Sequence, residues 1–503
     1  MMQYLSTRDF GKTVSAAQAI AQGICQDGGL FVPREIPRIS KDAFQQLQKD
    51  SYIDRAQKIL SYFLTDFSEE EIAECVASAY TEEKFPGGPA QLSAVQEDSC
   101  QMYLLELWHG PTCAFKDMAL QVLPHLLTKS CKKIHSDKTA VILVATSGDT
   151  GKAALEGFKD VPGTKILVFY PQSGVSPMQK RQMVTQEGHN VAVCAIEGNF
   201  DDAQTGVKKI FTNPETCQKL AEHGMMFSSA NSINLGRLLP QVVYYISAYC
   251  DLVNNGSIQY GQEVNVAVPT GNFGNILAAY YAKEMGLPIK KLICASNANN
   301  VLTDFLQTGC YNRNRAFYTT ISPSMDILIS SNLERLLSAM TGSDNQVKSW
   351  MQQLAATGSY QVDSATLQKL HTLFWAGYCD DQQTKKEIAA LYQRENYLCD
   401  PHTAVAVNVY KQYAKATGDK ETPVIVTSTA SPYKFADSVL QAVSGEKADG
   451  DDFAKISELS TLTKTEIPQP IAALQNKAVR FTDSCSPADM PAKTLELTGA
   501  CSR

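Results

Sequence analysis

Residues 139–170 read TAVILVATSGDTGKAALEGFKDVPGTKILVFY, and this stretch decides the fold. The run 139–145 is apolar and rich in β-branched residues, as a strand buried on both faces requires. A Gly-containing turn follows, then a helical pattern over 150–158 and a second apolar run over 165–170 (KILVFY). Two non-alternating apolar runs joined by a helix form a strand–helix–strand unit, whose strands must lie parallel.

Working outward, the same alternation repeats. A helix over 176–187 precedes the run 190–196 (NVAVCAI); the run 263–268 precedes a Gly-rich turn and a helix over 275–285. Further apolar runs stand at 291–295 and 423–427. The pattern predicts an α/β protein of mainly parallel, helix-flanked sheets, with its ligand crevice at the carboxyl ends of the strands. Residues 1–95 read differently. A helical pattern over 14–25 ends in the turn Asp27-Gly28-Gly29, followed by Leu30-Phe31-Val32 and Pro33. Helical patterns over 41–64 and 68–80 come next, and Pro86-Gly87-Gly88-Pro89 marks a boundary. The expected organisation is a unit at 1–95, a main unit at 96–446 containing a smaller subdomain at about 137–250, and a polar extension at 447–503.

Composition narrows the functional classes. The 503 residues are 44% hydrophobic and 19% charged, an ordinary globular balance. A net charge of −7 without a basic run argues against nucleic acid, and the longest apolar runs fall far short of the ~20 residues a membrane span needs. The N-terminal MMQYLSTRDF lacks a basic segment followed by an apolar one, so export is not expected. The 14 cysteines are scattered without a C-x-x-C pair, and the seven histidines do not gather near them, so no metal site is expected. A cytoplasmic enzyme is the expectation.

Four segments have the composition of a site. In Pro269-Thr270-Gly271-Asn272-Phe273-Gly274-Asn275, glycines between a strand and a helix let backbone N–H groups approach a phosphate; the spacing fits neither a nucleotide P-loop nor G-x-G-x-x-G. The second loop, Thr146-Ser147-Gly148-Asp149-Thr150-Gly151-Lys152, offers hydroxyls at a helix start to a carboxylate or phosphate, or serves as a plain helix cap. The third, Trp108 to Ala119, places Lys116 among Ala114, Phe115 and Met118, where desolvation would suit a Schiff-base lysine. The fourth, Asn231-Ser232-Ile233-Asn234-Leu235-Gly236-Arg237, adds amides and a guanidinium at another helix start. Together they describe two anion pockets around one lysine.

These motifs resemble the threonine synthases, pyridoxal-5′-phosphate (PLP) enzymes of fold type II, over about residues 2–440. The resemblance rests on Tyr4-Leu5-Ser6-Thr7-Arg8, Asp27-Gly28-Gly29-Leu30-Phe31-Val32-Pro33, His109-Gly110-Pro111-Thr112-Cys113-Ala114-Phe115-Lys116-Asp117 and the two Gly-containing loops. It departs at Asp9, where the family often has Gly, and at Thr429-Ala430-Ser431-Pro432-Tyr433-Lys434-Phe435, where the family commonly has His in place of Ser431. The resemblance implies a small N-terminal threonine-synthase domain before a PLP-dependent catalytic domain, and conversion of O-phospho-L-homoserine and water to L-threonine and phosphate. Lys116 would hold PLP as a Schiff base and shuttle protons. Gly271, Asn272, Phe273, Gly274 and Asn275 would bind its phosphate, and Thr429 would face its ring nitrogen. Thr146, Ser147 and Asp149 would hold the substrate carboxylate or the cofactor hydroxyl, and Thr150, Asn231, Ser232 and Arg237 the leaving phosphate. A monomer or homodimer is implied. Two alternatives keep the same pockets: a PLP-dependent phospho-lyase acting on O-phosphothreonine or O-phosphohomoserine, and a catalytically silent anion-binding paralogue.

Overall fold

The computed structural model describes residues 1–500 apart from 98–99, 147, 173–174 and 448. Six strands form the larger sheet, in the order Phe374–Tyr378, Ile289–Ser296, Val264–Pro269, Val424–Ser428, Cys100–Glu106 and Gln91–Glu97. All neighbours are parallel except the final hairpin. A second sheet is parallel throughout, in the order Ser484–Cys485, Val191–Ile196, Thr164–Pro171, Thr139–Ala145 and Met225–Ser228. Strands such as Val264–Pro269 and Val191–Ile196 are buried at every position, so their sequences run largely apolar without alternation, Asn265 being the exception in the first. The fold is therefore the α/β, fold-type-II arrangement expected: two mainly parallel, helix-flanked sheets.

The longest helix, Leu235–Asn254, is apolar on nearly all sides and packs against Gly274–Glu284 and Tyr52–Phe63. No helix among the described residues is long and apolar enough to cross a membrane. Before these two sheets in the chain, Asp9–Val14, Tyr4–Ser6 and Phe31–Pro33 form an antiparallel sheet. The expected helix over 41–64 is two, Lys41–Lys49 and Tyr52–Phe63. Ser51 and Asp54 make a reciprocal capping box that restarts the helix, a signal the apolar periodicity hides.

The polar extension is built into both halves. Its helix Asp452–Thr463 packs on Ala436–Ser444, beside the larger sheet. The chain then crosses to the smaller sheet, where Arg181 donates to the carbonyls of Leu474 and Lys477 at 3.1 and 2.6 Å. Ser484–Cys485 adds an edge strand there, and Met490–Thr498 packs on Phe200–Phe211.

Candidate active site

The segments singled out by composition meet at the carboxyl ends of the parallel strands. Lys116 follows Cys100–Glu106 and opens the short helix Asp117–Leu120. Its loop is laced to the end of the neighbouring strand Val424–Ser428. Phe115 N–H donates to the Thr429 carbonyl (2.8 Å), Ser431 N–H donates to the Cys113 carbonyl (3.1 Å), and Ala114 bridges Ala430. Asp117 closes the loop from inside, accepting from Thr112 N–H (2.8 Å) and Oγ1 (2.7 Å). Lys116 and Thr429 are therefore neighbours by backbone construction.

The lysine is buried, with polar and charged partners as well as the Phe115 ring. Its Nζ donates to Ser324 Oγ at 3.2 Å, lies 3.5 Å from Asp149 Oδ2 and sits 4.9 Å from the Phe115 ring centre. Burial lowers its pKa; Asp149 opposes that, while the charges of Lys434 and Arg237 push it down further. Burial pushes the Asp149 carboxyl up, but Lys434 and then Lys116 outweigh it and hold the group well below the usual carboxylate range. Lys434 Nζ is 2.7 Å from Asp149 Oδ1 and also donates to the Thr112 carbonyl (2.9 Å). Gln179 Nε2 donates to Asp149 as well (3.0 Å). Burial raises Asp117 to about 6 in spite of its two bonds from Thr112. Among the described residues the two lysines pair with Asp149 alone, and Arg237 pairs with no carboxylate. Such a cluster invites anions.

The two segments expected to be anion cradles flank it. Gly271–Asn275 leaves the strand Val264–Pro269 and enters the helix Gly274–Glu284 through Phe273, which is left-handed (φ 63°). The amides of that helix's first turn have no intrahelical acceptor. Asn275 accepts from the hydroxyls of Tyr244 (2.7 Å) and Tyr245 (2.5 Å), while its buried Nδ2 has no partner. Gly271 must be glycine here, because a Cβ would lie 2.6 Å from the Ser324 carbonyl. Asn272 exposes its side chain, and its carbonyl accepts from Asn332 N–H (3.1 Å) and Nδ2 (3.0 Å).

In the second cradle Arg237 is 4% exposed. Its Nη1 donates to the Ala230 carbonyl (3.0 Å), its buried Nε has no partner, and burial brings its pKa down to about 10. Asn231, Ser232 and Thr150 are partly exposed, and Ser232 Oγ lies 3.5 Å from Ser331 Oγ. Thr146 does something else. Its hydroxyl accepts from Gly148 and Gly151 N–H and donates to the Gly148 carbonyl, each at 3.0 Å, so it shapes the loop. Ser147 lies outside the described residues.

Three polar groups at the lysine were not singled out from sequence. Lys434 stands inside the quoted segment ending at Phe435, and an apolar-flanked second lysine was its only signal. Gln179 comes from the helix Pro177–Val184, which the sequence offered only as a connection. Ser324 is 208 residues from Lys116, in the short turn Pro323–Met325. Its N–H donates to His402 Nε2 (3.2 Å), and His402 Nδ1 is 2.7 Å from Asp400, so the imidazole proton belongs on Nδ1.

Known proteins match this chain in sequence and fold. A family model for the threonine synthase N terminus matches residues 3–80, one for pyridoxal-phosphate dependent enzymes matches 89–374, and one for the threonine synthase C-terminal region matches 403–490. Threonine synthase-like 1 of Macaca fascicularis is 43% identical over 459 residues, covering 88% of this chain and 60% of the relative. The chain thus spans about 60% of the length of that relative. Threonine synthase of Saccharomyces cerevisiae is 36% identical, covering 88% of this chain and 89% of the relative. Among solved structures, PLP-bound threonine synthase from Brucella melitensis superposes with a TM-score of 0.86 at 34% identity, covering 99% of each chain. The yeast threonine synthase structure gives 0.87 at 32% identity, again over 99% of each chain. The cofactor is pyridoxal 5′-phosphate, and the residues gathered around Lys116 fit it: a buried lysine of lowered pKa, helix-start amides without an intrahelical acceptor and an unpartnered Asn275 amide.

Proposed function

The chain belongs to the threonine synthase family of PLP-dependent enzymes, and from that premise we propose that it converts O-phospho-L-homoserine and water to L-threonine and phosphate. Lys116 Nζ would hold the cofactor, the first-turn amides of Gly274 and Asn275 its phosphate, and Thr429 its ring nitrogen. A hydroxyl at that nitrogen, unlike a carboxylate, does not enforce protonation there. The bound cofactor supplies an electron sink for negative charge developing on the substrate carbons.

The protein's own residues do the rest. Lys116 would also act as base and acid toward the substrate carbons, taking the Cα proton and exchanging protons at Cβ and Cγ. Its lowered pKa favours the neutral amine needed for the first of these steps. Ser324 and Asp149 hold Nζ from one side. Arg237, with Asn231, Ser232 and Thr150, would grip the phosphate as it leaves. Thr146 shapes the loop that carries Thr150, and Asp149 and Ser147 would hold the substrate carboxylate or the cofactor hydroxyl.

The observation that carries this reading is Arg237, a buried cation with an unused N–H, within electrostatic reach of a buried lysine. A lysine-bound cofactor accounts for one anion cradle. A substrate with its own phosphate accounts for the second. The described cysteines are all free, which suits a cytoplasmic enzyme. The test is product identity from O-phosphohomoserine. Threonine and phosphate in equal amounts are expected, lost in Lys116→Ala. Oxobutanoate with ammonia would instead identify a phospho-lyase, and no turnover would identify an anion-binding paralogue.

A further inference from the structure

The N-terminal motifs take no part in the chemistry above, yet they converge on one point of the catalytic unit. Thr7 Oγ1 donates to Glu334 Oε1 (2.6 Å), and Arg8 makes a two-pronged contact with the same carboxylate, Nε to Oε1 at 2.7 Å and Nη2 to Oε2 at 2.8 Å. The second motif packs behind the first: Ser6 Oγ donates to Asp27, and Leu30 N–H donates to Thr7 Oγ1 (2.8 Å). The residue after Glu334 is Arg335, 1% exposed.

Arg335 spreads its guanidinium over three segments. Nε donates to the carbonyl of Phe31 in the N-terminal sheet (2.9 Å). Nη2 donates to the carbonyl of Ile233 (2.6 Å), inside the segment that ends at Arg237. Nη1 donates to Asn332 Oδ1, and Asn332 in turn donates through both N–H and Nδ2 to the carbonyl of Asn272 in the cofactor-phosphate loop. One planar group thus touches the N-terminal unit, one anion cradle directly, and the other through a single amide. A rigid fork is suited to fixing three acceptors at set angles, and an ammonium is not.

We propose that Arg335, docked in place by the Arg8–Glu334 pair, is a positioning residue that fixes the two anion cradles relative to each other. The N-terminal unit would then serve as the clamp that holds both pockets in register. The inference rests on reading Gly271–Asn275 and Asn231–Arg237 as anion sites, though not on which reaction they serve.

The test compares two buried arginines in the full-length protein. Arg55 also ties the N-terminal helices to the catalytic unit, donating to the carbonyls of Leu47 and Gln48 and to Ser247 and Asp251, but reaches neither cradle. PLP affinity is read by absorbance titration, and second-cradle affinity by the thermal shift that inorganic phosphate produces in the PLP-loaded protein. Arg335→Lys should weaken both by about tenfold, a typical coupling effect. Arg55→Lys should lower thermal stability and leave both affinities within about twofold. Unchanged affinities in Arg335→Lys, or loss at one cradle only, would overturn the proposal. Should that variant not fold, Arg8→Gln breaks the clamp from its partly exposed side. A severalfold loss at both cradles is expected there, and wild-type affinities would refute the clamp. Neither readout needs turnover, so a wild-type protein that makes no threonine would sink the proposed reaction and leave this inference standing.

Discussion

Arg237→Met separates binding from folding. Burial brings the guanidinium down from its ordinary range to about 10, which disfavours the charged form in the fold by about 3 kcal/mol. The sign follows from the lowered pKa of a base: the penalty is in full force at every pH below about 10 and fades only as pH rises above that. Methionine removes that penalty. It also removes the bond to the Ala230 carbonyl and leaves that acceptor unpaired, a loss of about 1.5–3 kcal/mol. The two effects nearly cancel, so the ligand-free variant should unfold within about 1 kcal/mol of wild type. Arg55→Met is the contrast: it breaks a pair with Asp251 at 2.6 Å and should cost about 3–5 kcal/mol, or less because Asp251 is partly exposed. Binding should respond oppositely. Inorganic phosphate at a hundredfold its Kd should stabilise the wild type by about 2.7 kcal/mol and Arg237→Met far less. With O-phosphohomoserine, kcat/KM should fall about 10- to 150-fold, the loss of one charge-assisted contact, while cofactor absorbance is unchanged. Arg237→Lys keeps the charge without the fork and should fall between the two. If Arg237→Met is as unstable as Arg55→Met, or handles the phosphorylated substrate like wild type, the second cradle lies elsewhere.

Three further outcomes follow from the same site. Borohydride reduction of the PLP-loaded protein and peptide mapping should place the label on Lys116; a label on another lysine refutes the assignment. Gly274→Asp has room for its Cβ, 3.6 Å from Asn332 Nδ2, so only its charge should matter, and PLP affinity should drop with the fold intact; normal affinity would count against this cradle. Asp117 titrates at about 6 instead of 3.8, so it contributes stability present below pH 3.8 and lost as pH rises through 6. The stability of wild type minus that of Asp117→Asn, from denaturant titrations, should therefore fall by about 3 kcal/mol between pH 4 and 7; a flat difference would show that Asp117 is not buried as described.

What the sequence showed was whatever is contiguous in the chain. The parallel sheets were legible because strands buried on both faces are apolar at most positions and show no alternation. Lys116 and the loop Gly271–Asn275 were legible because each is a strand end followed at once by a helix start. The split between Lys41–Lys49 and Tyr52–Phe63 was missed, since apolar residues recur in phase across Asp50 and Ser51 and only the cap chemistry interrupts them. The strand Ser484–Cys485 was missed for a different reason. Two residues carry no periodicity, and the segment is a strand only because Val191–Ile196 presents it an open edge.

The site itself shows where contiguity stops being enough. Thr146 and Arg237 both looked like ligand groups, as hydroxyl and guanidinium at helix starts. They differ in what surrounds them. The Thr146 hydroxyl spends its donor and its acceptor capacity on Gly148 and Gly151, whereas Arg237 keeps a buried N–H unspent. The same comparison sorts the three buried arginines. Arg55 is satisfied by a carboxylate and carbonyls, and Arg335 by two carbonyls and an amide. Only Arg237 of the three has an unpartnered buried N–H. Because an unpaired buried charge costs stability, a fold selected for stability alone would have removed it or paired it. That unspent N–H within reach of Lys116 is what the proposed second anion would satisfy, and it is visible in the side chains packed around Arg237 and in nothing the chain spells out beside it.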